Sequence, residues 1–205
     1  PPFPAFSSRQ FPLMSLRNTL LFLLPILLLL SGCGRKESRV EAGIRDGILH
    51  YGNGVEPQDL DPNTNTGSPE SRIISALFEG LVNRDETGDG ILPGVADQWD
   101  VSEDGLTYTF YLRSDARWSD GVAIDAQTFV DSFRRLITPE LAAEFAYFTH
   151  PVVGAEAFHR GETTDFSTVG FRARDRLTVE IHLREPNPHF LSQIAEYPWL
   201  PVPLH

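Results

Sequence analysis

Residues Asp104 to Gly121 read "DGLTYTFYLRSDARWSDG", and they decide what kind of domain this chain builds. Leu106, Tyr108, Phe110 and Leu112 alternate with Thr107, Thr109 and Tyr111. Successive side chains of a strand point to opposite faces, so this alternation predicts a strand with one buried face. The stretch closes in "WSDG", where Asp120 and Gly121 suit a turn: Asp bonds its own backbone and Gly tolerates left-handed dihedrals. Trp118 is expected to pack beside the strand end as a structural residue. The same alternation returns in "LTVEIHLR", where Leu177, Val179, Ile181 and Leu183 alternate with Thr178, Glu180 and His182. That places His182 on the polar face, as an exposed strand histidine.

Between the two strands, "IDAQTFVDSFRRLI" changes to helical spacing. Asp125 is a natural N-cap, and Phe129, Val130, Phe133 and Ile137 form one apolar stripe, expected in the core. A shorter helix is expected over Glu140 to Phe148. Another is expected near Phe190 to Ala195, after the proline-bounded turn of "EPNPH". Strands and helices interleaved in this way predict a mixed α/β domain.

Upstream, Ile48 to Tyr51 reads as a strand stopped by glycines. The following "EPQDLDPNTNTGSPES" is a loop, dense in Pro, Asn, Asp and Ser. Ser68-Pro69-Glu70 then looks like a helix start with Ser68 as the cap. The helix is expected to run to about Leu81, with Ile74, Leu77, Phe78 and Leu81 on one face. "DETGDG", Asp85 to Gly90, partly resembles a calcium loop. Such a loop needs a bidentate glutamate at its twelfth position, which here is Ala96. The segment is therefore expected to be a hairpin turn.

The N-terminal region has a different character. Leu20 to Leu30 is apolar throughout, broken only by Pro25, and "SGCGRK" follows. Eleven residues are too few for a helix that crosses a bilayer, which needs about 20. A secretory signal fits, with a basic start at Arg17, a short apolar centre and small residues before a cleavage point. Met14 is then the start, and residues 1–13 are upstream read-through or a natural Pro/Phe-rich tail. "LSGC", Leu30 to Cys33, resembles the lipobox of bacterial lipoproteins. In that resemblance residues 14–32 are removed and Cys33 carries the lipid anchor. A buried structural thiol is the alternative for a lone cysteine. Multiple acyl chains on one residue give stable attachment where one gives marginal binding. Residues 33–47, charged and unpatterned, read as a flexible tether. Gly34, not an aspartate, follows the cysteine, which by the same resemblance permits sorting to an outer membrane.

Composition narrows the function. The chain carries 17 Lys and Arg against 28 Asp and Glu, a formal charge of −11. No basic patch with interleaved aromatics occurs, so nucleic acid is not an expected partner. There is no nucleophile elbow, P-loop, dinucleotide fingerprint or zinc-protease motif. The six histidines are scattered. His159 and His189 sit in loop-like sequence and are expected to be solvated. Catalysis, cofactors and metals are not expected.

From Tyr51 onward the chain resembles the oligopeptide- and dipeptide-binding lipoproteins of bacterial ABC importers, family 5 of the extracytoplasmic solute-binding proteins. The motifs fall in order: "LDP" at Leu60–Pro62, "ES..I..LFEGL" at Glu70–Leu81, "PGVADQW" at Pro93–Trp99 and "DGLTYTFYLR.DARWSDG" at Asp104–Gly121. They continue with "A.TFV.SF.R" at Ala126–Arg135, "REPNPHFL" at Arg184–Leu191 and "PVP" at Pro201–Pro203. The resemblance implies part of a periplasmic-binding-protein type II fold, a two-lobed clamp. Residues 48–78 correspond to the first strand and helix of lobe I, and 79–202 to an extra subdomain of that lobe. The rest of lobe I and all of lobe II correspond to nothing in this sequence.

What the resemblance implies for function is a monomeric, non-catalytic binder that delivers peptides to ABC permease subunits. It would be held in the periplasm or at the cell surface by the Cys33 lipid. Peptide is expected to lie as an added strand, with its backbone paired and its side chains in wet pockets. Thr66, Gly67 and Ser68 would line that edge, and Phe145 would supply an aromatic wall; a core role is the alternative for Phe145. Other ligands of the same family, such as nickel or murein peptide, are alternatives. A lipoprotein hydrolase and a purely structural lipoprotein are the rivals from other classes.

Overall fold

The computed structural model describes residues 36–205 except Glu86 and Asp89. The expected signal peptide, the residues before it and the expected lipid site at Cys33 lie outside the described residues. The chain divides into two units, 1–52 and 53–205. Among the described residues no helix is long and apolar enough to cross a membrane.

In the first unit, Arg39–Asp46 forms helix α1. Ser38 and Glu41 make a reciprocal capping box: Glu41 N–H donates to Ser38 Oγ at 3.1 Å, and Ser38 N–H donates to Glu41 Oε2 at 2.8 Å. Gly47, at φ 67°, ends the helix in the left-handed conformation that glycine accepts. The segment expected to be an unpatterned tether therefore contains eight helical residues. Ile48 to Tyr51, expected to be a strand, is not one. Its side chains at Ile48, Leu49 and Tyr51 are exposed, and no described strand pairs with it.

The second unit is built on the two alternating segments. They become β4 (Thr107–Leu112) and β6 (Thr178–His182), antiparallel neighbours at the centre of a four-stranded sheet of order β3-β4-β6-β5. Tyr108, Phe110 and Leu112 of β4 and Val179 and Ile181 of β6 are buried on one face, as the alternation requires. The outer strands are β3 (Ala96–Val101) and β5 (Phe171–Asp175), each with a register shift against its neighbour. Helix α3 (Ala126–Ile137) covers the apolar face. Asp125 caps it through Thr128 N–H at 2.9 Å, and its expected stripe is buried together with Leu136. Phe133 is the hub, with its ring 4.8 Å from Phe171 and 5.5 Å from Trp199. Two short helices complete this layer, α4 (Ala155–His159) and α5 (Phe190–Ile194).

Three local expectations change. Helix α2 covers Ser68–Leu77 and stops before Leu81, because the next backbone groups pair elsewhere. Val95 N–H donates to Gly80 O at 2.9 Å and Ala96 N–H to Leu81 O at 3.0 Å. Phe78 is consequently extended, Leu81 is buried in the core, and Leu77 is left 68% exposed. The N-cap of α2 is Gly67 and not Ser68, which is the first helical residue. The helix expected over Glu140 to Phe148 is instead two 3-10 turns, Pro139–Leu141 and Glu144–Thr149. Ala142 separates them at φ 52°, a left-handed conformation that an α-helix cannot contain.

Asp85 to Gly90 is the expected hairpin turn. It joins β1 (Val82–Arg84) to β2 (Ile91–Pro93), and the Asp85 carboxylate accepts from Thr87 N–H at 2.8 Å. "WSDG" turns as expected: Trp118 and Val122 pair backbone, Gly121 sits at φ 91°, and the Asp120 carboxylate accepts from Val122 N–H.

Candidate functional site

Thr66, Gly67 and Ser68 lie at the end of a loop with no regular structure, so its position must come from side chains. Asp61 is the pivot. Its carbonyl accepts from Thr64 and Asn65 N–H, and its carboxylate accepts from Asn63 N–H at 2.9 Å. Arg135, in the last turn of α3, grips that carboxylate with both terminal nitrogens, at 3.0 and 2.5 Å. The same guanidinium donates to Asn63 Oδ1 at 2.8 Å. Planar, two-point recognition of this kind fixes orientation as well as distance. Buried Asn63 donates in turn to the Pro198 carbonyl at 3.2 Å.

Two further ties sit beside the edge. The Tyr197 hydroxyl donates to the Asn65 carbonyl at 3.0 Å. Buried Glu70 accepts from Gln58 N–H at 3.0 Å, which anchors the start of the loop to α2. Gly67 makes room for this: a Cβ at that position would lie 2.0 Å from Glu70 Oε2. The hydrogen bond from Gln58, the helix-start amide of Glu70 and the Asn65 side chain together hold the Glu70 carboxyl below the usual carboxylate range. Asp59 is lowered too, first by the Thr64 hydroxyl and then by the Asp61 amide. Burial raises the Tyr197 phenol, with smaller contributions from Glu196 and Tyr147, so Tyr197 stays a neutral donor.

These ties leave a specific edge. Thr66 is exposed, and neither its N–H nor its carbonyl is hydrogen-bonded among the described residues. Ser68 is exposed, and its N–H stands at the start of a helix that has no side-chain cap. Gly67 between them is satisfied: its N–H donates to Asn65 Oδ1 and its carbonyl accepts from Ser71 N–H. Free backbone groups on an exposed rim can pair with an extended chain without reading its side chains.

Phe145 belongs to the same neighbourhood. It sits in the Glu144–Thr149 turn, half-buried, outside the core cluster. Its ring centroid is 5.9 Å from Tyr197 at 80°, and 5.6 Å from Phe148. Tyr197 therefore touches the expected aromatic wall with its ring and the expected edge with its hydroxyl. A groove of about 560 Å³ shares Tyr197 with this edge; Leu77, Phe78, Arg84 and Glu196 also line it, and neither Thr66 nor Phe145 does.

Reading the sequence missed Asp61, Asn63, Asn65, Arg135 and Tyr197. Asp61 and Arg135 lie inside motifs that carried the resemblance, but nothing in the spacing of residues 74 apart indicates a pair. Among the described residues no group of three or more His, Cys, Asp and Glu is placed to hold a metal.

Residues 90–203 match the model of the bacterial extracellular solute-binding proteins, family 5, middle region. The chain belongs to this family. Over 149 residues it is 42% identical to the periplasmic murein peptide-binding protein MppA of Escherichia coli, covering 72% of this chain and 27% of that one. It is 39% identical over 153 residues to the periplasmic oligopeptide-binding protein OppA of the same organism, covering 74% and 28%. The crystal structure of Haemophilus influenzae OppA in complex with the peptide RPPGFSPFR superimposes with a TM-score of 0.70 at 37% identity, covering 74% of this chain and 29% of that one. The fold is thus part of the type II periplasmic-binding-protein fold, as expected. The chain spans a little over a quarter of the length of the curated relatives it matches. Family 5 proteins are solute binders, and these relatives are named as binding proteins and not as enzymes.

Proposed function

We propose that this chain is part of a peptide-binding protein that delivers its ligand to an ABC importer and performs no catalysis. The observation that carries the reading is the edge Thr66–Ser68, with free backbone groups at Thr66 and at the Ser68 N–H, fixed beside Phe145 by the Tyr197 bridge. Backbone pairing there supplies affinity that does not depend on peptide sequence, and the aromatic wall supplies apolar contact for one side chain. Residues 79–202 are assigned to an extra subdomain of lobe I, on the position of the sheet and α3 after α2. The protein acts as a monomer. Cys33 is assigned as the lipid attachment point, with residues 14–32 as its signal and residues 33–47 as a tether, so that the domain works in the periplasm or at the cell surface. A murein peptide is the second ligand class favoured, on the 42% identity with the relative of that name.

The test is stabilisation by ligand, since anything that binds the folded state alone raises its melting temperature. Trialanine and pentaalanine at millimolar concentration should raise Tm, and free alanine at the same concentration should not. Equal shifts with alanine, or none with either peptide, would contradict the reading.

A further inference from the structure

His159, expected to be solvated, has a partner in the structure. His150 Nε2 lies 3.1 Å from His159 Nδ1. The ring centroids are 5.4 Å apart, so the separation grows by about the two ring radii between nitrogens and centroids. The nitrogens therefore face each other head-on. Two imidazoles chelating one metal would point both lone pairs at a third point, and this pair leaves no space for it. The contact is an N–H···N hydrogen bond, in which one ring donates and the other accepts.

The elements around the pair give this bond a mechanical role. His150 is the C-cap of the Glu144–Thr149 turn, and His159 is the last residue of α4. The Glu156 carboxylate lies 3.9 Å from His150 Nδ1, and it also pairs with Arg160 at 2.7 Å and Arg184 at 3.1 Å. Those are the charged groups facing the pair from α4 and from the segment after β6. One carboxylate thus serves two arginines before either imidazole is charged.

We propose that His150 and His159 form a proton-shared latch between the Glu144–Thr149 turn and α4, which opens when both rings are protonated. The proton count sets the order of events. In the neutral pair one bridging nitrogen carries a hydrogen. A first added proton goes to an outer nitrogen; that on His150 is Nδ1, which faces Glu156, and the bridge becomes an imidazolium–imidazole bond that is charge-assisted and intact. A second proton has only the bridge acceptor to occupy. Two N–H groups then face each other at 3.1 Å, with two charged rings and two arginines around one carboxylate. The pair separates. Burial, the largest influence on His150, also works against its charged form, as do Arg160 and Arg184, while Glu156 opposes them.

Titration of such a pair belongs to the pair and proceeds in two steps. The segment it releases carries Phe145, so on the function proposed above acid would loosen the aromatic wall. An exported domain meets the pH of its surroundings directly. The latch itself does not depend on that reading.

The test is ring-resolved NMR titration of the 205-residue chain from pH 8 to 4. The wild type should show two steps for His150 and His159 separated by more than one pH unit, with the shifts of the Ala143–His150 amides changing in the lower step. In His159→Gln the low step should vanish and His150 should titrate once. Glu156→Gln should move both wild-type steps to lower pH. Superimposed titrations of the two rings, or unmoved Ala143–His150 amides through the lower step, would overturn the latch. Addition of trialanine is a separate arm: if the two steps persist but no peptide shifts any residue, the latch stands and the peptide reading falls.

Discussion

The Tyr197 hydroxyl donates to the Asn65 carbonyl at 3.0 Å, although the two residues lie 132 positions apart in the chain. The same ring meets Phe145 at 80°. One side chain thereby sets the spacing between a backbone edge and an aromatic surface. Tyr197→Phe keeps the ring contact and removes the bond. It should cost about 1 kcal/mol, or roughly 3 °C in Tm. Hydrogen exchange should rise at Asn65 and Gly67 and stay unchanged in β4; unchanged exchange in the loop would show that the bond does not position it.

Arg135 and Asp61 should behave as one unit. Each side chain is 27% exposed, so the pair is shielded but not sealed from water. Arg135→Met keeps the stem of the side chain and leaves Asp61 and Asn63 without their donor. A loss of about 1–3 kcal/mol is expected. The double variant with Asp61→Asn should lose much less than the sum of the two single variants. Simple additivity in chemical denaturation would argue against the Arg135–Asp61 pair as the tie between loop and helix.

Gly67→Ala tests a steric claim separately from a backbone one. Gly67 sits at φ −87°, which alanine adopts freely. The cost must then come from the Cβ meeting Glu70 Oε2 at 2.0 Å. Glu70→Ala in the same chain should remove most of the penalty of Gly67→Ala. If the penalty is unchanged, the close approach is not its cause.

Acid should release the start of the loop. Glu70 and Asp59 both have lowered pKa values in the folded state. A carboxyl lowered on folding stabilises above its unfolded pKa, about 4, and that contribution is lost as pH falls through the folded value. The dependence of Tm on pH between about 4.5 and 2 should be shallower in Glu70→Gln than in the wild type. An identical slope would show that Glu70 makes no such contribution.

Cys33→Ser tests the anchor. The wild type should partition with membranes and incorporate labelled fatty acid, and the variant should do neither. A variant that stays in the membrane fraction would remove Cys33 as the attachment point.

The central elements of the fold were legible because their sequence carries one strong period each. Tyr108, Phe110 and Leu112, Val179 and Ile181, and the stripe of α3 all end in the core. The outer strands were not legible. "ADQWDV" and "FRARD" lie at the sheet's edges, where few positions are buried and no alternation is imposed. The end of α2 was hidden because a ladder formed by Gly80 and Leu81 overrode helical spacing. Helix α1 was readable in principle, since Ser38 and Glu41 have the spacing of a capping box, but its exposed Val40 and Ile44 give no core stripe. At the candidate edge, resemblance pointed to Thr66, Gly67, Ser68 and Phe145. The residues that hold the edge in place, Arg135, Asp61 and Tyr197, act across long sequence separations and leave no local pattern.

The most direct test of the peptide-edge account is an amide-resolved NMR titration of the 205-residue chain with pentaalanine. The account predicts that the largest shifts fall on Thr66 and Ser68, with ring-proton shifts at Phe145 and Tyr197, and that Gly67, whose backbone groups are already paired, moves less. Shifts confined to the groove lined by Leu77, Arg84 and Glu196, or no shifts at all, would contradict it.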